Sequence, residues 1–256
     1  SWTEIATLES GGAKRTAFGT MSGTLKALRA TDLAVHASKA AIAQAGIAPD
    51  AIGHVIIGNV MQTSPGGIYC ARHVGLKAGL PITTPALTVN RLCGSGFQAI
   101  INGAEQLLLG EHDAVLVGGT ENMTQAPHIL RGGREGWPFG KAPQVEDSLW
   151  SALTDSYNNT PMAVTAENLA TKYGISRQDC DAYALQSQQR WAAANEKGFF
   201  KDEIAPISVQ VKKNTVEFAV DEHARPQTTM EALAKLAPVF KKDGVVTAGN
   251  ASGICD

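Results

Sequence analysis

Among four cysteines and six histidines, one thiol stands apart by its setting. Val89-Asn90-Arg91-Leu92-Cys93-Gly94-Ser95-Gly96-Phe97 places Cys93 between an apolar run and a segment of helical spacing. A thiol on the turn that opens a helix faces unpaired backbone N–H groups and the positive end of the helix dipole. That setting favours the thiolate, the form that attacks an activated carbonyl. Gly94 and Gly96 clear side chains from the path of an acyl group and permit a tight turn. The same residue also fits the commoner role of a free cysteine, a small buried hydrophobe, and the spacing leaves both roles open. Cys70, Cys180 and Cys255 lack such a setting. Without a C-x-x-C pair, the cysteines argue against a zinc site or disulfide framework and for a reducing compartment. His36, His54, His73, His112 and His128 show no partner pattern. His223, in a charged loop beside Arg225, reads as solvent-facing or hydrogen-bonded rather than catalytic.

The elements that position Cys93 alternate between strand and helix. Leu87, Thr88, Val89 and Leu92 read as a buried strand, and Phe97 to Leu109 as a helix stopped by Gly110. Ahead of them the pattern predicts a weak strand over Ile5 to Leu8 and a helix over Asp32 to Ala45 ending at Gly46. A strand over Val55 to Val60 and a helix over Ile68 to Ala78 come next, and after the Cys93 helix a strand over Ala114 to Val117. This alternation predicts an α/β fold, a mostly parallel or mixed sheet covered by helices. From about Glu121 the texture changes, and Gly132 to Gly140 reads as loop. Helices follow over Met162 to Tyr173, stopped by Gly174, and from Ser176, which forms a capping box with Asp179, to Gly198. Cys180, Tyr183, Ala184, Ser187 and Trp191 mark the expected packing stripe of the second. Residues 212–247, mixing charge, proline and short apolar runs, suit a surface subdomain rather than a sheet core.

Composition narrows the function classes. With 44% hydrophobic and 18% charged residues, the chain reads as an ordinary soluble enzyme. A formal charge of −2 offers no basic field for nucleic acid. No apolar run approaches the roughly 18 residues that span a bilayer, so neither nucleic acid nor membrane is expected as a partner. There is no secretory apolar core, and Glu4 and Glu9 weigh against a transit peptide. The default compartment is the cytoplasm.

Asn90-Arg91-Leu92-Cys93-Gly94-Ser95-Gly96 resembles the acyl-enzyme motif of thiolases, whose cysteine takes an acyl group from a CoA thioester. Five further segments agree in order and spacing: Lys14 to Gly19, Gly118 to Met123, Met162 to Asn168, Asp221 to Pro226 and Gly249 to Gly253. The likeness leans to the 3-ketoacyl-CoA thiolases of fatty-acid β-oxidation, the mitochondrial acetyl-CoA acyltransferase type. It therefore opens the mitochondrial matrix as a second compartment. It implies a thiolase N-terminal domain over 1–120, a CoA-binding loop domain inserted over 121–247, and a return segment over 248–256.

The same resemblance implies a site. Cys93 would be acylated, Arg225 and Thr228 would meet the nucleotide half of CoA, and Ser252 would hydrogen-bond the pantetheine arm. Leu153, Met162 and Ala248 would line the tunnel. From the residues alone Arg225 equally suits a solvated surface position, Met162 and Leu153 a core, and Asn250 to Gly253 a plain turn. Coenzyme A is expected as substrate, with no cofactor and no metal. Family members are usually dimers or tetramers, and residues 131–144 resemble the segment that helps tetramers form.

Thiolysis also needs an oxyanion hole, a proton donor for the departing acetyl carbanion and a base for the incoming CoA thiol. The family draws these from a Gly-His-Pro histidine, an Asn-Glu-Ala-Phe asparagine and a second cysteine near its C-terminus, and none of these motifs occurs here. The reading is thus of a thiolase lacking its C-terminal domain, with Cys255 no substitute for the second cysteine and the chain alone expected to be inactive. Ser1 to Gly12 matches the family's opening strand poorly. Pro161-Met162-Ala163 replaces a His-Met-Gly frequent in acetoacetyl-CoA thiolases and favours the broad-chain type. The alternatives are an acetyl-CoA acetyltransferase running the chemistry as a condensation, and a non-catalytic CoA-binding half.

Overall fold

The computed structural model describes residues 8–256, so the strand expected over Ile5 to Leu8 lies, but for its last residue, outside them. Two compact units emerge. Of the described residues, one comprises 8–126, 201–222 and 255–256, the other 127–200 and 223–254. Residues 201–222, placed by sequence in the insertion, cluster with the first unit.

In the first unit α1 (Ala30–Ala45) ends where Gly46, at φ 67°, turns its amide back to Ile42 and Ala43. It is followed by β1 (His54–Gly58), α2 (Cys70–Ala78), β2 (Ala86–Val89), α3 (Ser95–Leu108) and β3 (Val115–Gly119). The strands form a parallel sheet of order β2-β1-β3, with Ile57 paired to Thr88 on one side and Gly118 on the other. β1 is central and almost wholly buried, which is why it reads as an unbroken apolar run. Its side chains alternate between two helix layers. Val55 and Ile57 join Ala34, Ile42, Ala71, Val74 and Ala78 of α1 and α2 in one core, while the Gly58 face meets α3. The strand expected to include Leu92 stops at Val89. Leu92 is 60% exposed because the chain turns at Asn90 rather than continuing in the sheet, and Leu87, on the outer strand β2, is 44% exposed.

The second unit begins with β4 (His128–Leu130) and β5 (Val145–Asp147), antiparallel around the loop 131–144. Next comes α4 (Ser148–Leu153), whose first amides are capped by Asp147. The short hairpin β6 (Thr154–Asp155) and β7 (Thr160–Pro161) leads into α5 (Met162–Tyr173), which ends at Gly174. Helix α6 (Arg177–Glu196) opens with the expected Ser176–Asp179 capping box. Its packing stripe differs from expectation. Tyr183 is 72% exposed, whereas Asp181 is 2% exposed and the inner side runs on through Ala184, Leu185, Gln188 and Trp191. This stripe is partly polar because it carries hydrogen bonds rather than apolar contacts alone, so hydrophobic spacing misplaces it.

The chain then returns to the first unit as the hairpin β8 (Ile207–Val211) and β9 (Asn214–Phe218), its second strand inside the 212–247 stretch expected to form a surface subdomain. Arg15 forks onto Asp221 at 2.7 and 3.1 Å and reaches Glu203 at 2.7 Å. Glu222 accepts four hydrogen bonds, from the amides and hydroxyls of Thr20 and Thr24. The remaining helix of the second unit is α7 (Met230–Ala234), capped by Thr229. No helix among the described residues is long and apolar enough to cross a membrane.

Candidate active site

The Cys93 turn grows out of the end of β2. Asn90 Oδ1 accepts the Leu92 amide at 2.9 Å, an Asx turn, and Leu92 sits in the left-handed region at φ 47°. Ser95 closes the turn from the other side. Its Oγ accepts the Arg91 amide at 2.9 Å and donates to the Leu92 carbonyl at 2.6 Å. The Gly94 and Ser95 amides donate to the carbonyls of Arg91 and Leu92, both at 3.0 Å. A bulky residue in left-handed backbone costs on the order of 1–3 kcal/mol, and such positions cluster where geometry serves function. The outcome is an exposed Cys93, one residue ahead of Gly94, the cap of the 14-residue α3. The first amides of a helix have no intrahelical acceptor, so the thiol stands at its electropositive end. Exposure removes the buried-hydrophobe alternative.

Two strand-end glycines seat this turn. A side-chain carbon at position 58 would fall 2.6 Å from the Ser95 carbonyl carbon, and one at position 119 would fall 3.3 Å from Gly96 Cα. The start of α3 therefore rests on bare backbone of β1 and β3. Beneath it Asn59, 2% exposed, sends Nδ2 to the Thr120 carbonyl at 2.8 Å and its amide to the Val89 carbonyl at 3.1 Å. It thereby ties the three strand ends together. Glu121 accepts the amides of Val60 and Met61, and burial outweighs those bonds, lifting its carboxyl above the usual range. Sequence reasoning missed Ser95 and Asn59. The Asn-x-Leu-x-x-Ser spacing around Cys93 held a turn signal for the first, but nothing local pointed to the second.

The six residues expected to meet CoA all belong to the second unit, and the structure groups them in pairs. Arg225 and Thr228 share one turn, in which the Thr228 amide and hydroxyl both donate to the Arg225 carbonyl, at 3.0 and 2.7 Å. Gln188 of α6 accepts the Arg225 amide at 2.7 Å, and the guanidinium side chain lies at the surface. Leu153 and Met162 flank the paired Thr154 and Pro161 at the open end of the β6–β7 ladder, one just before Thr154 and the other just after Pro161; Met162 is 48% exposed. Ala248 and Ser252, both exposed, belong to one segment whose folding is set by buried carboxylates.

Glu167 of α5, 2% exposed, accepts the amides of Val245 at 3.0 Å and Val246 at 2.8 Å. Asp181 of α6 is paired with Arg177 at 2.8 Å and accepts Asn250 Nδ2 at 2.9 Å. The same Asn250 amide nitrogen donates to the Val245 carbonyl, and its Oδ1 accepts the Thr247 amide, each at 2.8 Å. A side-chain carbon at position 253 would fall 2.0 Å from His223 Nε2. The imidazole thus fills the space beside Gly253, a packing role rather than a solvent-facing one.

Comparison with known proteins follows this geometry. The profile of the family described as "Thiolase, N-terminal domain" matches residues 12–256. Human mitochondrial 3-ketoacyl-CoA thiolase is 58% identical over 244 residues, covering 95% of this chain and 62% of that protein. Its crystal structure in complex with CoA superposes with a TM-score of 0.92 at 58% identity, over 96% of this chain and 61% of that one. An acetyl-CoA acetyltransferase of Chromobacterium violaceum is 47% identical over 245 residues, covering 95% of this chain and 62% of its own. The chain thus spans about 62% of the length of these curated relatives.

Proposed function

Because the chain belongs to the thiolase family, we propose that it carries the acyl-accepting cysteine and CoA-recognition segments of a 3-ketoacyl-CoA thiolase of β-oxidation. The observation that carries this is the exposed Cys93 at the head of α3, on a turn fixed by Asn90 and Ser95. The Cys93 thiolate attacks the 3-keto carbon of the substrate, and the developing oxyanion needs donors fixed in advance. Acetyl-CoA leaves as its carbanion and is protonated. A second CoA, its thiol deprotonated, takes the acyl group from sulfur and releases Cys93. Coenzyme A is substrate here and no cofactor enters the scheme.

In this reading the second unit provides the loop-domain surface for CoA. Arg225 and Thr228 take the nucleotide end, Ser252 the pantetheine arm, and Leu153, Met162 and Ala248 its apolar flank. The greater identity to a 3-ketoacyl-CoA thiolase than to an acetyl-CoA acetyltransferase, 58% against 47%, supports thiolysis over condensation. Similarity to a human mitochondrial thiolase favours the mitochondrial compartment over the cytoplasm. A homodimer or homotetramer is the assembly proposed for the complete protein, with the loop 131–144 in the tetramer contact.

The test is acyl trapping. Incubation of the complete protein with a 3-ketoacyl-CoA, followed by peptide mass analysis, should place a thioester on Cys93, absent in Cys93→Ser. In parallel, Arg225→Ala should weaken CoA binding by about tenfold, since a hydrogen bond to a charged group contributes about 1.5–3 kcal/mol. Acylation of another residue, or unchanged CoA affinity, would overturn the assignment.

A further inference from the structure

We infer that Asn250 and Asp181 are positioning residues for the pantetheine-binding segment, acting separately from the turn that presents Arg225. The inference rests on the CoA reading above and deepens it. Ala248 and Ser252 are exposed, and the residues between and before them are held from within. Thr247 is fully buried and Asp181 is 2% exposed. Asn250 uses its whole carboxamide to hold that segment and join it to α6. It donates to Asp181 at 2.9 Å and to the Val245 carbonyl at 2.8 Å, and accepts from the Thr247 amide at 2.8 Å.

A side chain with two donors and one acceptor so engaged fixes the turn in a single conformation. The buried carboxylate is not an independent anchor, because Arg177 grips its other oxygen at 2.8 Å and itself donates to the Leu233 and Leu236 carbonyls at 2.7 and 2.9 Å. The turn bearing Ser252 is thus tied through Asn250 and Asp181 to α6, and through Arg177 to the end of α7. The turn bearing Arg225 and Thr228 reaches α6 by a different residue, Gln188. It closes on its own carbonyl and shares no hydrogen bond with the Asn250 network among the described residues. The two turns meet in the packing of His223 beside Gly253, but their hydrogen-bonded attachments are separate, which predicts separable losses. Loosening Asn250 disorders the surface that reads the pantetheine arm and leaves the nucleotide surface intact.

The experiment is calorimetric titration of this chain with CoA and with adenosine 3′,5′-bisphosphate, which is the nucleotide end without the arm. Asn250→Ala removes all three bonds, and Asn250→Asp keeps the acceptor for Thr247 while replacing the donor that meets Asp181. Each should weaken CoA by about tenfold, the effect of losing one hydrogen bond to a charged group, with adenosine bisphosphate binding unchanged. Retained bisphosphate binding also certifies the fold of each variant. An equal loss of both ligands would mean a general scaffold role and would overturn the inference, as would Asn250→Asp binding CoA like the unsubstituted chain. Failure of the unsubstituted chain to bind CoA would instead remove the CoA reading itself.

Discussion

Four thiols share this chain, and their surroundings separate them. Cys93 is exposed while Cys70 is fully buried. Burial pushes the Cys70 thiol up against a single contact from Thr31. Cys180 and Cys255 are also pushed up, first by burial and then by neighbouring carboxylates. Iodoacetamide at neutral pH should therefore modify Cys93 first, read by peptide mass analysis; prior labelling of any other cysteine would remove the argument for a nucleophilic turn. Glu222 gives a second residue-level expectation. Burial would raise its carboxyl, but the bonds from Thr20 and Thr24 outweigh burial and hold it below the ordinary range. A depressed folded value means stability that is present above the unfolded value of about 4.3 and lost as pH falls through the folded one. The melting temperatures of the unsubstituted chain and Glu222→Gln should differ at neutral pH and converge on acidification. A constant gap would show that the ionised carboxylate is not what the threonines hold. Cys93 was legible from sequence because glycines and a helix start advertise it within nine residues. Asn59, Glu167 and Asp181 were not, since their partners Thr120, Val245 and Asn250 lie 61, 78 and 69 residues away.

Among the elements, α3 is seated by what it lacks. A side-chain carbon at Gly103 would come within 2.5 Å of Val117 Cγ1 and 3.0 Å of Val115 Cγ2, and β-branched neighbours in a strand have little freedom to yield. Overpacking costs typically about 1–3 kcal/mol, against about 1 kcal/mol gained in helix propensity. Gly103→Ala should accordingly lower the denaturant midpoint despite being the better helix former, and a rise would refute the close-packing account. Element types were readable wherever a glycine punctuated them, at Gly46, Gly110 and Gly174, each of which adopts positive φ. The packing side of α6 was not readable. Asp181 and Gln188 line it for their hydrogen bonds to Asn250 and to the Arg225 amide, and apolar periodicity is blind to polar packing. The β8–β9 hairpin escaped for a related reason, since burial is confined to its inner residues Ile207, Val209 and Phe218, at 9%, 3% and 8% exposed.

At the scale of the whole chain, the proposed function makes a prediction for ligand binding. If CoA binds as proposed, adding it should slow hydrogen exchange in 224–228 and 245–252, while β1 keeps the protection its burial already gives. No change in those two segments would overturn the placement of CoA there. The first unit carries a further consequence, for synthesis. Arg15 meets Asp221 across 206 residues of sequence, and Thr124 meets Asp256 across 132. A ribosome adding about 5–20 residues per second needs roughly 10–40 s to deliver Asp221 after Arg15. Over about the second half of that interval, once β3 (Val115–Gly119) has been added, the newborn β1–β3 sheet has its helices but not its clasp, while the second unit is being translated. Completion of the first unit is therefore timed by the translation of the second, and codons that pause within 127–200 would lengthen the window in which chaperones find the sheet still open.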